Sequence, residues 1–359
     1  MMKNKKKLKI AQIAPLWFPI PPKKYGGIER VVAQLCDGLV DRGHDVTLFA
    51  APGSKTKAKL VSVFPKPLIE AGVSWSDPFW NLRNLSKAYK LADIGKFDIV
   101  HSHLDIWTLL FQDLVKVPTL HTMHNSLYKT GVEINKDFRL KLFNEERKKT
   151  NIVFISKSAK KQSAIKFKKD RVIYNGINLD KYKFNPKGGD HFVWVSRVDD
   201  YKGIETAIAA AEKMKIELLL AGRLDKSQVN YFNRKIKPHL NKKIRYVGEL
   251  TEDQLSVFYG KAKAFIYPIA WEEPFGLVVA ESMACGTPVI AYKRGSMPEL
   301  IENGKSGFVV KDFKGLLKAM KEIEKIDRGE VRRRVEKFFS KEIMVKNYED
   351  FYYELISKK

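Results

Sequence analysis

Short apolar runs alternate along the chain with longer stretches whose apolar residues recur every three or four positions. In the first half the runs are KIAQIAP, DVTLFAA, DIVHSH, PTLHTMH, NIVFIS and RVIYNG; in the second they are HFVWVSR, IELLLAG, IRYVGE, AFIYPI, TPVIAYK and GFVV. Between them lie patterns such as IERVVAQLCDGLVDRG and GIETAIAAAEKM, each with an apolar stripe at helical spacing. Near-continuous apolar runs suit strands buried on both faces, and the intervening helices supply the cover, so the alternation predicts parallel sheets sandwiched by helices. The series restarts near NPKGGD, Asn185–Asp190, a turn-rich stretch that suits a linker. The expected fold is therefore α/β with two doubly wound domains, residues 1–185 and 186–340. The final helical stretch, 341–359, is long enough to pack back across the linker onto the first domain. In such sheets ligands bind beyond the carboxyl ends of the strands, which directs attention to the strand-to-helix loops and to a cleft between facing domains.

Composition narrows the function classes. A chain of 359 residues can bury two sizeable cores, and 44% hydrophobic with 30% charged residues is the balance of a globular protein. No apolar run approaches the ~18 residues that span a bilayer. The opening MMKNKKKLKIAQIAPLWFPIPP mimics a secretory signal, but Pro15, Pro19, Pro21 and Pro22 break its apolar patch and no small-residue cleavage site follows. Leu8 to Pro15 reads instead as a first buried strand, and the expected location is cytoplasmic. Cys36 and Cys285 sit in helical patterns without metal-ligand spacing and read as small core residues of a reducing compartment. The net charge of +25 is densest over Lys157 to Arg171, KSAKKQSAIKFKKDR. That run lacks the interleaved aromatics of a single-strand binder, so it reads first as solvated surface, then as peripheral contact with an anionic membrane at its inner face, and nucleic acid is not an expected partner.

Three loops carry residue types suited to a phosphorylated, hydroxyl-rich ligand. After the first strand, Gly26 and Gly27 precede an amphipathic helix, where backbone N–H groups and the helix N-terminus favour an anion, although a plain Gly-Gly turn explains the same pair. The second domain opens with a strand followed by SRVDDYKG, which places Arg197 and Lys202 on its first loop. A guanidinium fork and an ammonium point charge there could clamp a diphosphate. The third loop, in EEPFGLVVAESMACG, carries Glu273 just before a helix and Glu281 about two turns inside it, on roughly one side. Pro274 suits the first helical position, and the N–H groups of Phe275, Gly276 and Leu277 would point out of the helix start. A carboxylate can accept from two hydroxyls at once, so this pair could grip two vicinal diols. Glu272 reads as a surface residue.

Asn175-Gly176-Ile177, Arg197 with Lys202, the Glu273 to Glu281 spacing and CGTPVIAYKRGSMPELIENGKSGFVV together resemble the family 4 retaining glycosyltransferases, within the glycogen synthase-like superfamily that carries E-x7-E. The resemblance implies the GT-B fold, two Rossmann-like domains facing a cleft, with a nucleotide sugar held mainly by the second and a C-terminal helix returning to the first. By motif position, Arg197 and Lys202 would hold the donor diphosphate and neutralise the leaving group. Glu281 would bind the ribose hydroxyls, and Glu273 would position the transferred sugar with the amides of Phe275 to Leu277. Gly26 and Gly27 would close over the diphosphate, and His124 in LHTMHN would face the sugar. Ser282 stands where the family most often has alanine.

The implied reaction moves a hexosyl group from a nucleotide diphosphate sugar, UDP-linked by expectation, to an acceptor hydroxyl. The chain has no Asp-x-Asp motif, so the departing diphosphate falls to Arg197, Lys202 and helix-end amides, with no cofactor and no metal required. His101, His103 and Asp105, then His121 and His124, tempt a metal reading. Polar contacts to sugar or acceptor suit His103 and His124 better, and His101 and His121 suit packed strand positions. For the acceptor, APLWFPIPPKKYGGIERVV is similar to a subgroup described as tetrahydrobiopterin glucosyltransferases, and Trp17, Tyr25 and Trp107 could stack on a flat or sugar-like molecule. A carbohydrate, lipid-linked or other small-molecule acceptor stays open. So do two other readings: a GT-B sugar-nucleotide epimerase or phosphorylase, and a basic membrane- or nucleic-acid-binding module with a vestigial donor site.

Overall fold

The structure, a computed structural model, describes residues 6–127, 137–163 and 165–357; Ala164 of the basic run and the opening Met1 to Lys5 lie outside the described residues. The chain divides into two compact units. Met1–Pro22, Gly26–Gly176 and Lys341–Lys359 form the first, and Lys23–Tyr25 with Ile177–Ser340 form the second.

The first unit runs β1 (Lys9–Ile13), α1 (Gly27–Asp41), β2 (Asp45–Phe49), β3 (Lys59–Val61), α2 (Phe79–Asp93), β4 (Ile99–Ser102), β5 (Thr119–Met123), α3 (Phe138–Glu146), β6 (Asn151–Phe154), α4 (Lys157–Gln162) and β7 (Lys169–Val172). All seven strands are parallel, in the order β3-β2-β1-β4-β5-β6-β7. Every residue of β4, β5 and β6 is buried, as strands covered on both faces require. The edge strand β3 escapes the sequence pattern because it is three residues long and mostly exposed. One core cluster joins Ala11, Phe49, Leu85, Tyr89 and Val100 beneath α2, and another joins Met123, Leu140, Phe143, Phe154 and Phe167 beneath α3.

The C-terminal helix Lys341–Ile356 belongs to this unit and packs on α1. Glu349 anchors it: its carboxylate accepts from Arg42 at 2.6 Å and from His44 Nε2 at 2.9 Å. Because His44 Nδ1 accepts from the Leu8 N–H, Nε2 carries the ring proton and donates to Glu349. Part of the basic run is spent in the same way. Lys169 and Arg171 both pair with Glu354 of the C-terminal helix, and Lys160 pairs with Asp170.

The second unit repeats the plan with β8 (Phe192–Val195), α5 (Ile204–Met214), β9 (Leu218–Ala221), the single turn α6 (Val229–Tyr231), β10 (Ile244–Tyr246), α7 (Glu252–Gly260), β11 (Ala264–Tyr267), α8 (Leu277–Ala284), β12 (Val289–Tyr292), α9 (Met297–Leu300), β13 (Gly307–Val310), α10 (Phe313–Glu322) and α11 (Arg328–Phe338). Its six parallel strands lie in the order β10-β9-β8-β11-β12-β13. Helix α7 starts at a capping box, Thr251 and Gln254 each bonding the other's N–H, which the motif T-E-D-Q encodes locally. In CGTP, Thr287 Oγ1 donates to the Tyr259 carbonyl and accepts from Arg328, while Ser282 donates to the Thr287 carbonyl. That block ties the end of α8 to the start of β12, and Ser282 is accommodated by a hydrogen bond. Cys36 and Cys285 are free and fully buried, and burial drives both thiols above their ordinary range. No helix among the described residues is long and apolar enough to cross a membrane.

Two buried carboxyls give the first unit opposite responses to pH. Burial works to raise the pKa of Glu349, but the bonds from Arg42 and His44 outweigh it and hold it below its usual value. A depressed folded-state pKa contributes stability above the unfolded value that is lost as pH falls through the folded one. Glu349→Ala should therefore lower stability near pH 7 by about 1–3 kcal/mol, the cost of an orphaned buried donor. In urea unfolding its deficit should shrink as the pH is taken below 4. Glu29, in the first turn of α1, is 5% exposed, and burial pushes its carboxyl up to about 7. Here the folded state holds the extra proton, so stability is fully present below the unfolded value and lost as pH rises through 7. Glu29→Gln should leave stability at pH 5 little changed and raise it at pH 8 by an amount on the order of 3 kcal/mol, at about 1.4 kcal/mol per pK unit.

Candidate functional site

In the second unit, β8 and β11 are neighbours at which the strand order reverses, and the loops leaving their carboxyl ends carry the charged residues singled out by sequence. After β8 the chain passes Arg197 and makes a single 3-10 turn, Asp200–Lys202, before Gly203 opens α5 at φ +75°. A Cβ on Gly203 would lie 2.1 Å from the Pro268 carbonyl oxygen, so a side chain there would force the two loops apart. The turn is held by Trp194, whose indole donates to the Lys202 carbonyl at 3.1 Å, and by the Ala270 N–H, which donates to the Tyr201 carbonyl at 2.9 Å.

Lys202 and Glu273 come together there. The ammonium lies 2.8 Å from Glu273 Oε2, and Tyr267 Oη and Trp271 Nε1 donate to that same oxygen at 2.9 and 3.0 Å. Both side chains are only 12% exposed, which keeps water from competing for the pair. The Trp271 ring also lies 4.4 Å from the Lys202 nitrogen, adding a cation–π contact. Burial, then the Glu273 charge, raise the Tyr267 hydroxyl well above its usual range, so it remains a donor. Arg197 is braced by Asp199, at 3.0 Å from its Nε, and by the Tyr201 hydroxyl. Neither Tyr267 nor Trp271 was expected from sequence. Their signal was position, on the strand and loop that lead into Glu273.

Helix α8 starts later than expected. Gly276 is its cap, at φ +87°, and Leu277 its first residue, so Pro274 lies in the approach loop. The Phe275 side chain is buried against Phe339, and its carbonyl accepts from Ser296 Oγ at 2.6 Å. Of the first-turn amides of α8, those of Val279 and Ala280 bond the Gly276 carbonyl. Glu281 is inside α8 and 3% exposed. Glu272 lies at the surface as expected, its side chain 41% exposed, and it also makes a contact that the sequence did not show: its carboxylate accepts the Gly295 N–H at 2.6 Å and pairs with Arg294. Gly295, at φ +52°, lies so close to the Glu273 backbone that a Cβ would come within 2.2 Å of the Glu273 carbonyl oxygen. Glu272 thus clamps the loop after β12 onto the loop that bears Glu273.

In the first unit the corresponding reversal lies between β1 and β4. Gly26 caps α1 at φ +142° and Gly27 begins it, with the buried Glu29 carboxyl in the same turn. His103 and His124 follow β4 and β5, stacked with ring centroids 5.1 Å apart and joined by a 2.9 Å hydrogen bond between Nδ1 of the first and Nε2 of the second. Burial lowers His124 to about 4 and holds His103 well below its ordinary value, so both are neutral near pH 7 and act through hydrogen bonds, without charge. His101 and His121 are strand residues bonded to Tyr352 and Thr122, and to Gln112. Asp105 is taken by Arg139 in a two-bond fork, each bond 2.8 Å. Among the described residues no group of three His, Cys, Asp or Glu side chains is placed to hold a metal ion. Trp107 packs against both core clusters, Trp17 stacks near Trp75 at 4.3 Å, and Tyr25, grouped with the second unit, is exposed.

Comparison with known proteins agrees with this arrangement. Residues 25–181 match the family model "Glycosyltransferase Family 4", and residues 178–339 match "Glycosyl transferases group 1". The phosphatidyl-myo-inositol mannosyltransferase of Propionibacterium freudenreichii subsp. shermanii is 25% identical over 313 residues, 79% of this chain and 77% of that protein. Sucrose-phosphate synthase from Thermosynechococcus elongatus superposes with a TM-score of 0.83 at 22% identity, over 98% of this chain and 100% of that one. Anabaena HepE, crystallised with UDP and glucose, superposes at 0.75 with 17% identity, over 96% and 99%. These likenesses identify the fold as GT-B, and the two glycosyltransferase models, each covering under half of the chain and overlapping at residues 178–181, mark the protein as a glycosyltransferase.

Proposed function

We propose that the protein is a retaining, metal-independent hexosyltransferase that uses a nucleotide diphosphate sugar, UDP-linked, and delivers the sugar to a hydroxyl of a carbohydrate, lipid-linked or small-molecule acceptor. The observation that carries this reading is the pairing of Lys202 with Glu273 at the β8/β11 reversal. A cation for a leaving diphosphate and a carboxylate for sugar hydroxyls lie side by side there, already fixed by Tyr267 and Trp271. The structural relative crystallised with UDP and glucose supports the choice of nucleotide.

In this reading Arg197 and Lys202 take up the charge that develops on the diphosphate as the glycosidic bond breaks, with the amides of Phe275, Gly276 and Leu277 as further donors. Such donors, oriented in advance, do not reorganise during the reaction. Three donors converge on Glu273 Oε2, and among the described residues none donates to Oε1, which is therefore the oxygen for a sugar hydroxyl. Glu281 binds the ribose diol. The departing phosphate oxygen takes the proton of the acceptor hydroxyl as that hydroxyl attacks from the same face, so no protein nucleophile is needed and the anomeric configuration is kept.

The test is calorimetric titration with UDP, followed by product analysis. Arg197→Ala and Glu281→Ala should each weaken UDP binding about tenfold or more, the loss of one charge-assisted bond. Lys202→Ala should lower kcat by about 10²-fold, as removal of one oriented donor does. Unchanged isotherms for both binding variants would refute the donor site. An epimerised sugar nucleotide, phosphate-dependent cleavage or an inverted anomer by NMR would refute retaining transfer.

A further inference from the structure

The first unit contains a chain of buried polar groups that ends at His124. It starts at the C-terminal helix, where Tyr352 Oη lies 2.6 Å from His101 Nδ1 and accepts from Gln12 Nε2 at 2.9 Å. Gln12, on β1, is fully buried, and its Oε1 lies 3.0 Å from His103 Nε2. His103 Nδ1 then meets His124 Nε2. On the far side, His101 Nε2 lies 2.7 Å from Thr122 Oγ1, which lies 3.0 Å from Tyr348 Oη.

The polarity of this chain follows from which atoms can donate. An amide oxygen only accepts, so His103 Nε2 must carry a proton. Neither His103 nor His124 has a carboxylate among these partners, and a buried imidazolium without one is costly, so both rings are neutral. His103 Nδ1 is then a lone pair that accepts from His124 Nε2–H, which leaves His124 Nδ1 unprotonated. At the other end, Tyr352 Oη accepts from Gln12, and its second lone pair and its proton let it meet either tautomer of His101. Turning the Gln12 amide over reverses the protons at His103 and His124 and puts a hydrogen on His124 Nδ1.

We propose that Gln12 and Tyr352 are positioning residues for sugar transfer, which lock His124 in the tautomer whose Nδ1 accepts a hydrogen bond from a hydroxyl of the transferred sugar. The proposal rests on the functional reading above for the identity of the ligand, whereas the tautomer itself can be read without any ligand. An acceptor-only ring makes a definite demand on the substrate. A hydroxyl satisfies it, and a fluorine or methoxy group in its place leaves the ring nitrogen unpaired.

The experiment is long-range proton–nitrogen NMR on enzyme labelled with ring-15N histidine, seven residues in all, with His124 assigned by its loss in His124→Gln. Wild type should show His124 Nδ1 in the unprotonated, pyridine-type range and Nε2 in the protonated range. Gln12→Leu removes the amide, and Tyr352→Phe frees it to turn; each should give mixed or reversed nitrogen shifts at His124 and about tenfold lower kcat, while Tyr348→Phe, which removes an equally buried hydroxyl beyond the end of the chain, should leave the His124 shifts as in wild type. A protonated Nδ1 in wild type overturns the proposal, as do unchanged His124 shifts in Tyr352→Phe, which carries the test alone if Gln12→Leu does not fold. Absence of sugar transfer by wild type with every donor tried would refute the functional reading, and with it the ligand assigned to His124, while the nitrogen shifts would still report the tautomer.

Discussion

A parallel strand can be reached only by a crossover, and the crossovers of a doubly wound sheet leave in opposite directions on either side of one strand pair. At that pair the loops diverge and open a space above the strand ends, the same constraint in both units. In the second unit it falls between β8 and β11, and Arg197, Lys202, Trp271 and Glu273 all come from the two loops that part there. In the first it falls between β1 and β4, where the Gly26–Gly27 turn and His103 follow the same rule. The chemistry of the site is thus a consequence of strand order before it is a matter of individual residues.

What the residues add is rigidity. Lys202 reaches Glu273 only because Gly203 lets the turn that bears it settle on the exit of β11, and Glu273 is steadied from behind by the loop that Glu272 clamps.

The fold was legible in sequence because burial on both faces writes itself into a strand as an unbroken apolar run. The six runs of the second half correspond to β8 through β13, and only the short, exposed β3 left no such trace. The charged residues were legible as types at loop positions. Their partners were not, because contact depends on how distant loops settle. Glu272 looked idle, yet it bonds Gly295, 23 positions away. Pro274 looked like a helix start, yet the glycine at 276 takes the cap and delays the helix. The link from Tyr352 to Gln12 spans 340 positions and has no local signature at all.

That span also bears on how the protein is made. The strand that begins the first unit emerges from the ribosome before the second unit, but the helix that supplies Tyr348, Tyr352 and Glu349 is translated only after it. Until then Gln12 and His101 lack the Tyr352 hydroxyl and His44 lacks the Glu349 carboxylate, and the first sheet exposes the surface that the helix will cover. The second unit, encoded in between as one continuous stretch from Ile177 to Ser340 apart from three residues, can complete its sheet first. The first unit is therefore completed only after the second has been synthesised, although its opening strand precedes it.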